Sequence, residues 1–174
     1  MSRAKGWVTG VVLLLGICSA VVAGRARPSG SVGGANVAQA KMKHAKGTTD
    51  TSGVMYFSHE ETAEALKESL VLDDRVPETN YRVAVYHRDK GGEVEIHKKD
   101  TDVFYIVEGS ATFVTGGTVT GNKEIEAGEF RGGTMQGGVE RQLGKGDVIV
   151  IPANVAHWYK EVEQPITYFG VKVR

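Results

Sequence analysis

Residues 93–109 read EVEIHKKDTDVFYIVEG. Side chains alternate across a strand, so Glu95 and His97 share one face while Val94 and Ile96 take the other. Four residues separate His97 from Asp102, which opens a second alternating run and shares its face with Phe104 and Ile106. Short alternating runs recur at 81–88, 93–98, 103–108, 111–115, 139–143, 148–151 and 166–173. Turn residues separate them, among them Asp89-Lys90-Gly91-Gly92, Gly109-Ser110, Gly116-Gly117 and Gly144-Lys145-Gly146. Of the 23 glycines, 13 fall between Gly91 and Gly146, and the chain has only four prolines, so glycine turns are the main punctuation. This spacing predicts an all-β antiparallel sandwich or barrel, because a parallel sheet would need crossover helices that the sequence lacks. One short helix precedes the strands. Ser58 with Glu61 three residues later forms a capping-box pattern, and Ala63, Leu66 and Leu70 form an apolar stripe that should pack on the outside of the sheet.

The chain has 174 residues, enough for one domain and a real core but too few for two typical ones. Its 21 basic and 21 acidic residues balance, which gives no electrostatic case for nucleic acid as a partner. A single cysteine, Cys18, excludes an internal disulfide, a zinc ribbon and a CxxC redox site. At the N-terminus, Arg3 and Lys5 precede the uncharged stretch 7–24, WVTGVVLLLGICSAVVAG, which ends in small residues. Residues 1–24 are therefore expected to be a secretory signal peptide, and the protein periplasmic or extracellular. An uncleaved anchor through residues 7–24 is the competing expectation, and stable membrane insertion is expected only in that case. Removing residues 1–24 leaves 19 basic and 21 acidic residues and no cysteine, a composition suited to an oxidising compartment. Residues 25–52, rich in Gly, Ala, Ser, Thr and Lys, read as a flexible linker, and 53–174 as the folded domain. The linker's Lys41, Lys43, His44 and Lys46 read as a solvated basic cluster rather than a membrane contact.

A second histidine, His157, follows the run Gly146-Asp147-Val148-Ile149-Val150-Ile151-Pro152-Ala153-Asn154-Val155-Ala156. Two imidazoles and two carboxylates converging inside a β-barrel would make a mixed N/O site for a divalent transition metal. With these residues in place, the chain resembles a small cupin. In that family's first motif two histidines one residue apart are followed by an acidic residue and, after six more, a glycine; here Glu95, His97, Asp102 and Gly109 stand at those places. In the second motif a glycine, five residues and a proline precede a turn residue and a histidine, matched here by Gly146, Pro152, Asn154 and His157. The resemblance covers roughly residues 81–173. It implies a single jelly-roll-like, double-stranded β-helix barrel, a divalent metal held by Glu95, His97, Asp102 and His157, and a small-molecule ligand or substrate.

The departures narrow that expectation. Glu95 stands in place of the first histidine, Asp102 in place of the usual glutamate, and Glu161 in place of an asparagine after the last histidine. The resulting set is harder and more anionic than three imidazoles and one carboxylate, which favours Mn, Fe(II) or Zn over copper. If the protein is an enzyme, the resemblance implies a metal-dependent oxygenase, isomerase or lyase, in which Glu95 or Asp102 could act as base when not ligating. The alternatives are a non-catalytic small-molecule-binding barrel without metal, in which His97 and His157 are simply hydrogen-bonded inside, and a structural role as a homodimer through the outer sheet. His87, on the run 81–88, reads as packed or exposed and not as a ligand, and His44 and His59 have no site around them. Arg131-Gly132-Gly133 reads as a turn, since no strand-to-helix context for a phosphate cradle follows. Trp158 and Tyr159 read as core or rim. Residues 118–131 either cover a barrel opening and shape the pocket or form a surface hairpin.

Overall fold

The structure, a computed structural model, describes residues 42–75 and 78–174. The expected signal segment and the linker as far as Lys41 lie outside the described residues. Among the described residues the chain begins with β1 (Thr48–Thr49), β2 (Met55–Tyr56), α1 (His59–Glu68), β3 (Val71–Asp73) and β4 (Tyr81–Arg88). It continues with β5 (Glu95–His97), β6 (Thr101–Thr115), β7 (Thr118–Thr120), β8 (Lys123–Glu126) and β9 (Glu129–Arg131). Last come β10 (Thr134–Gln136), β11 (Val139–Gly144), β12 (Val148–Ile151) and β13 (His157–Val173). The expected all-β architecture with one short helix is what forms.

The two long strands organise the rest. β6 and β13 pair antiparallel from Asp102 opposite Lys172 to Thr115 opposite His157. A strand rises about 3.3 Å per residue, so a straight ladder would leave Asp102 and Thr115 roughly 40 Å apart. Instead Asp102 and His157, from opposite ends of this ladder, approach to 3.5 Å. The sheet therefore curls on itself. Register shifts in β13 between Tyr159 and Tyr168 absorb the bend on one side. On the other side Gly109 takes φ +84°, and a Cβ placed there would stand 2.0 Å from the Pro165 carbonyl oxygen. This is why 103–108 and 111–115, separate runs in the sequence, form one strand: Gly109 bends the ladder without ending it. The 157–163 half of β13 was missing from the expected strands, and residues 118–131 contain β7, β8 and β9 where the sequence suggested only a loop or hairpin.

Inside the curl, Phe104, Ile106, Phe113, Leu143, Ile166 and Tyr168 form the main core. Tyr159 stacks on Tyr168 at 5.3 Å between centroids and meets Phe113 edge-on at 4.6 Å. The opposite face of β4 and β13 is covered by α1, whose Ala65 is fully buried beside Leu72 and Val85. Ser58 caps the helix as expected, accepting from the Glu61 backbone while the Glu61 carboxylate accepts from the Ser58 N–H. The buried stripe is shifted: Leu66 and Leu70 contribute as expected, but the fully buried alanine is Ala65 and not Ala63. Ahead of the helix, Lys43 and Ala45 hydrogen-bond with the backbone of Val71, so part of the segment read as linker lies along β3.

The two motif glycines should respond differently to alanine. Gly109→Ala meets both a positive φ and the Pro165 carbonyl, and should lower the unfolding free energy by at least about 3 kcal/mol in a urea titration. Gly146 has φ +90° but nothing within 4 Å of a built Cβ. Gly146→Ala should therefore cost only the conformational term, about 1–2 kcal/mol. Equal costs at the two positions would contradict the corner role of Gly109.

Candidate metal centre

Strand register builds the site. β5 lies between β13 and β9, so Glu95 stands opposite His157 on one side and Arg131 on the other, while His97 stands opposite Glu129. Directly opposed residues on neighbouring strands have Cβ atoms about 4.5–5.5 Å apart, close enough for each of these pairs to meet. The polar face of β5 thus turns inward. The two sequence motifs are tied to each other by the Asn154 N–H, which donates to the His97 carbonyl at 2.6 Å. Asn154 takes φ +67°, a left-handed turn that asparagine tolerates better than most residues.

Asp102 arrives across the barrel from β6. Its Oδ2 lies 3.2 Å from His97 Nε2 and 3.5 Å from His157 Nε2. Glu95 Oε2 lies 3.6 and 3.8 Å from the same two nitrogens. Ligand atoms of Glu95, His97 and His157 all fall within 4.8 Å of one another. All four residues expected from the sequence are therefore brought together, and His97, Asp102 and His157 are each only 3% exposed, which removes solvent as their partner.

The hydrogen bonds decide the protonation states. His157 Nδ1 faces the Val155 carbonyl at 3.1 Å. A carbonyl can only accept, so Nδ1 carries the proton. Burial pushes the pKa of His157 down to about 4, leaving the ring neutral with the Nε2 lone pair free. That Nε2 is buried and has no hydrogen-bond partner. His97 differs. Burial opposes its charge, but hydrogen bonds to Asp102 and Glu129 outweigh burial and raise its pKa above the usual histidine value. Glu129 Oε2 lies 2.5 Å from His97 Nδ1 and fixes the ring so that Nε2 faces Asp102 and Glu95. Asp102 is likewise held below the ordinary carboxylate range despite its burial, by the hydrogen bond from His97 and the charge of Lys172.

Four residues of the site were missed in the sequence. Glu129 and Arg131 lie on β9, inside the segment that read as loop, and their one-residue spacing mirrors that of Glu95 and His97 on β5. That repeated spacing was the available signal, though only the pairing of β9 with β5 gives it meaning. Arg131 Nη1 pairs with Glu95 Oε2, and Arg88 Nη2 lies 3.5 Å from Glu95 Oε1. Lys172 Nζ lies 3.0 Å from Asp102 Oδ1. Of the residues set aside, His87 sits away from the site and pairs with Asp89 at 2.9 Å. Tyr159 belongs to the core, and Trp158 donates to the Gly92 carbonyl at 2.7 Å. A groove of about 370 Å³, lined by Gly92, Val94, Gly132, Met135 and Trp158, runs beside these strands, and strand alternation puts Val94 and Trp158 on the face opposite Glu95 and His157.

The orphaned Nε2 of His157 is the decisive fit to a metal. A buried lone pair without a donor is costly in a protein interior, and a cation beside two imidazole nitrogens and two carboxylates would satisfy it. The protonation states also predict a pH profile for metal-free protein. His157 is neutral in the fold down to about pH 4, whereas an unfolded histidine binds a proton below about 6.5, so stability rises with pH across that window. The contribution is at most about 3 kcal/mol. His97 acts with the opposite sign: its raised pKa stabilises the fold below about 6.5, and that stability is lost as pH climbs through the folded value. Urea unfolding should therefore show maximum stability near pH 6.5, and Glu129→Gln should shrink the alkaline decline. A profile that rises steadily to pH 9 would contradict these protonation states.

The cupin family model matches residues 79–173. Comparison with curated proteins finds no match. Among solved structures, a protein of Bacillus halodurans shares 15% identity at a TM-score of 0.47, over 72% of this chain and 86% of that one. The Cnp3 cupin domain of Schizosaccharomyces pombe shares 14% identity at a TM-score of 0.43, over 61% of this chain and 59% of that one. An 11S globulin of Wrightia tinctoria, described as revealing an auxin binding site, shares 13% identity at a TM-score of 0.41, over 55% of this chain and 21% of that one. The family match spans more than half of the sequence, includes both motifs and agrees with the curled antiparallel barrel: the chain belongs to the cupin family.

Proposed function

We propose that this cupin holds a divalent cation, Mn, Fe or Zn, through Glu95, His97, Asp102 and His157, and binds a small molecule beside it. The observation that carries the reading is the buried, unpartnered Nε2 of His157, which shares two carboxylates with His97 Nε2. A bound ion would supply Lewis acidity toward an oxygen-bearing ligand, the chemistry shared by the oxygenase, isomerase and lyase readings. The chain's own residues prepare the place. Glu129 and the Val155 carbonyl orient the two imidazoles, as partners of ligating histidines commonly do. Phe113, Tyr159 and Tyr168 close the barrel beneath them and exclude water. The proposed setting is outside the cytoplasm, after cleavage of residues 1–24; an anchor through residues 7–24 is the alternative, and homodimerisation through the outer sheet is a further proposal. Among the described residues no helix is long and apolar enough to cross a membrane.

One observation favours the second reading, a metal-free binding barrel. With His97 neutral, Glu95, Asp102 and Glu129 are balanced within the site by Arg88, Arg131 and Lys172. Metal analysis separates the two. Purified protein supplied with Mn, Fe and Zn should carry about one ion per chain, and His97→Ala and His157→Ala should each lose it while remaining folded by circular dichroism. Binding should also release a proton near neutral pH, because His97 gives up the Nε2 proton, and titration calorimetry in buffers of different ionisation enthalpy reads that release. Less than about a tenth of an ion per chain would contradict the metal reading, and retention of metal in both variants would contradict the ligand set.

A further inference from the structure

We propose that Arg88 and Arg131 form the binding site for the carboxylate group of a small-molecule ligand, inside the barrel beside the candidate metal centre. The inference rests on the metal reading for its setting, but its evidence is the arginine pair itself. Two guanidinium groups face one counter-ion. Glu95 offers Oε1 to Arg88 and Oε2 to Arg131, so the two forks are spaced to grip the two oxygens of a single carboxylate. Planar guanidinium forks match a planar two-oxygen anion better than any other common group.

Glu95 cannot serve both partners fully. The oxygen that Arg131 engages is the one that faces His97 and His157. A Glu95 engaged as a metal ligand would leave both guanidiniums without their anion. The charge balance points the same way. Once His97 has given up its proton, three carboxylates match three cations in the cluster, so an added divalent ion would leave two positive charges in excess, and an anionic ligand reduces that excess.

The surroundings are built for a ligand. Arg88 is held over the Tyr159 ring at 4.9 Å and donates from Nε to the Tyr168 hydroxyl at 3.0 Å, which fixes its fork. Arg131 is fixed by strand register opposite Glu95. The arginine side chains are 25% and 17% exposed, so they remain reachable, whereas Asp102 behind them is sealed. The hydroxyl of Tyr159, in the same aromatic wall, is buried without a hydrogen-bond partner, and a polar ligand would supply one.

The test titrates the full chain with malonate, its neutral isostere malonamide, and inorganic phosphate by calorimetry, with metal content measured on the same sample. Malonate should bind at least about tenfold more tightly than malonamide and more tightly than phosphate. Arg88→Gln and Arg131→Gln should each weaken malonate binding at least about tenfold, and Arg131→Lys, which keeps the charge but loses the fork, should recover only part. Should Arg131→Gln fail to fold, Arg88→Gln and the malonate–malonamide comparison on the unaltered chain decide alone. Equal affinity for malonamide, tighter binding of phosphate, or full retention by the folded variants overturns the proposal. Metal content separates its failure from that of the metal reading. Arginine-dependent malonate binding to a metal-free chain supports this proposal and contradicts the metal, whereas one bound ion with no arginine dependence does the reverse.

Discussion

The antiparallel ladder between β6 and β13 is the constraint from which both the fold and the site follow. It runs from Asp102 to Thr115, yet residues from its opposite ends meet inside the barrel. Gly109 at the corner and the register shifts of β13 make that curl sterically accessible. The aromatic core of Phe104, Phe113, Tyr159 and Tyr168 fills the curl and stabilises it, each large buried side chain contributing about 1.5–3 kcal/mol. Without the curl, Asp102 would lie roughly 40 Å from His157 and there would be no cluster.

Electrostatics then sets what this cluster can do. Burying three carboxylates, two imidazoles and three cations together is tolerable only because nearly every group faces an opposite charge or a hydrogen-bond partner. The exceptions carry the information. His157 Nε2 lacks a donor, and two arginines share one carboxylate. The first exception fits a cation and the second an anion, and the two are complementary, because adding one ion makes the other more favourable.

The fold and half of the site were legible in the sequence for a physical reason. Alternation and glycine punctuation report local backbone geometry, so Glu95, His97 and Asp102 could be placed on faces without knowing their neighbours, and motif spacing added His157. Arg88, Glu129, Arg131 and Lys172 could not be found that way. Glu129, Arg131 and Lys172 reach the cluster through cross-strand partners distant in sequence, opposite His97, Glu95 and Asp102, Arg88 reaches Glu95 from the end of β4, which does not pair with β5, and no local pattern reports either placement. Residues 118–131 misled for the same reason: their three short strands are polar on the exposed side, and only pairing with β5 turns Glu129 and Arg131 inward. His157–Val162 escaped notice as a strand because its exposed Lys160 and Glu161 break the apolar rhythm after Tyr159.

On the proposed reading, the curled ladder focuses both imidazoles on one cation. X-ray absorption at the metal edge of Mn- or Zn-loaded protein tests it most directly, since imidazole rings give multiple-scattering features that carboxylates and water do not. Two imidazole ligands with oxygen donors completing the shell are expected. A shell of oxygen alone, with no imidazole scattering, would contradict it.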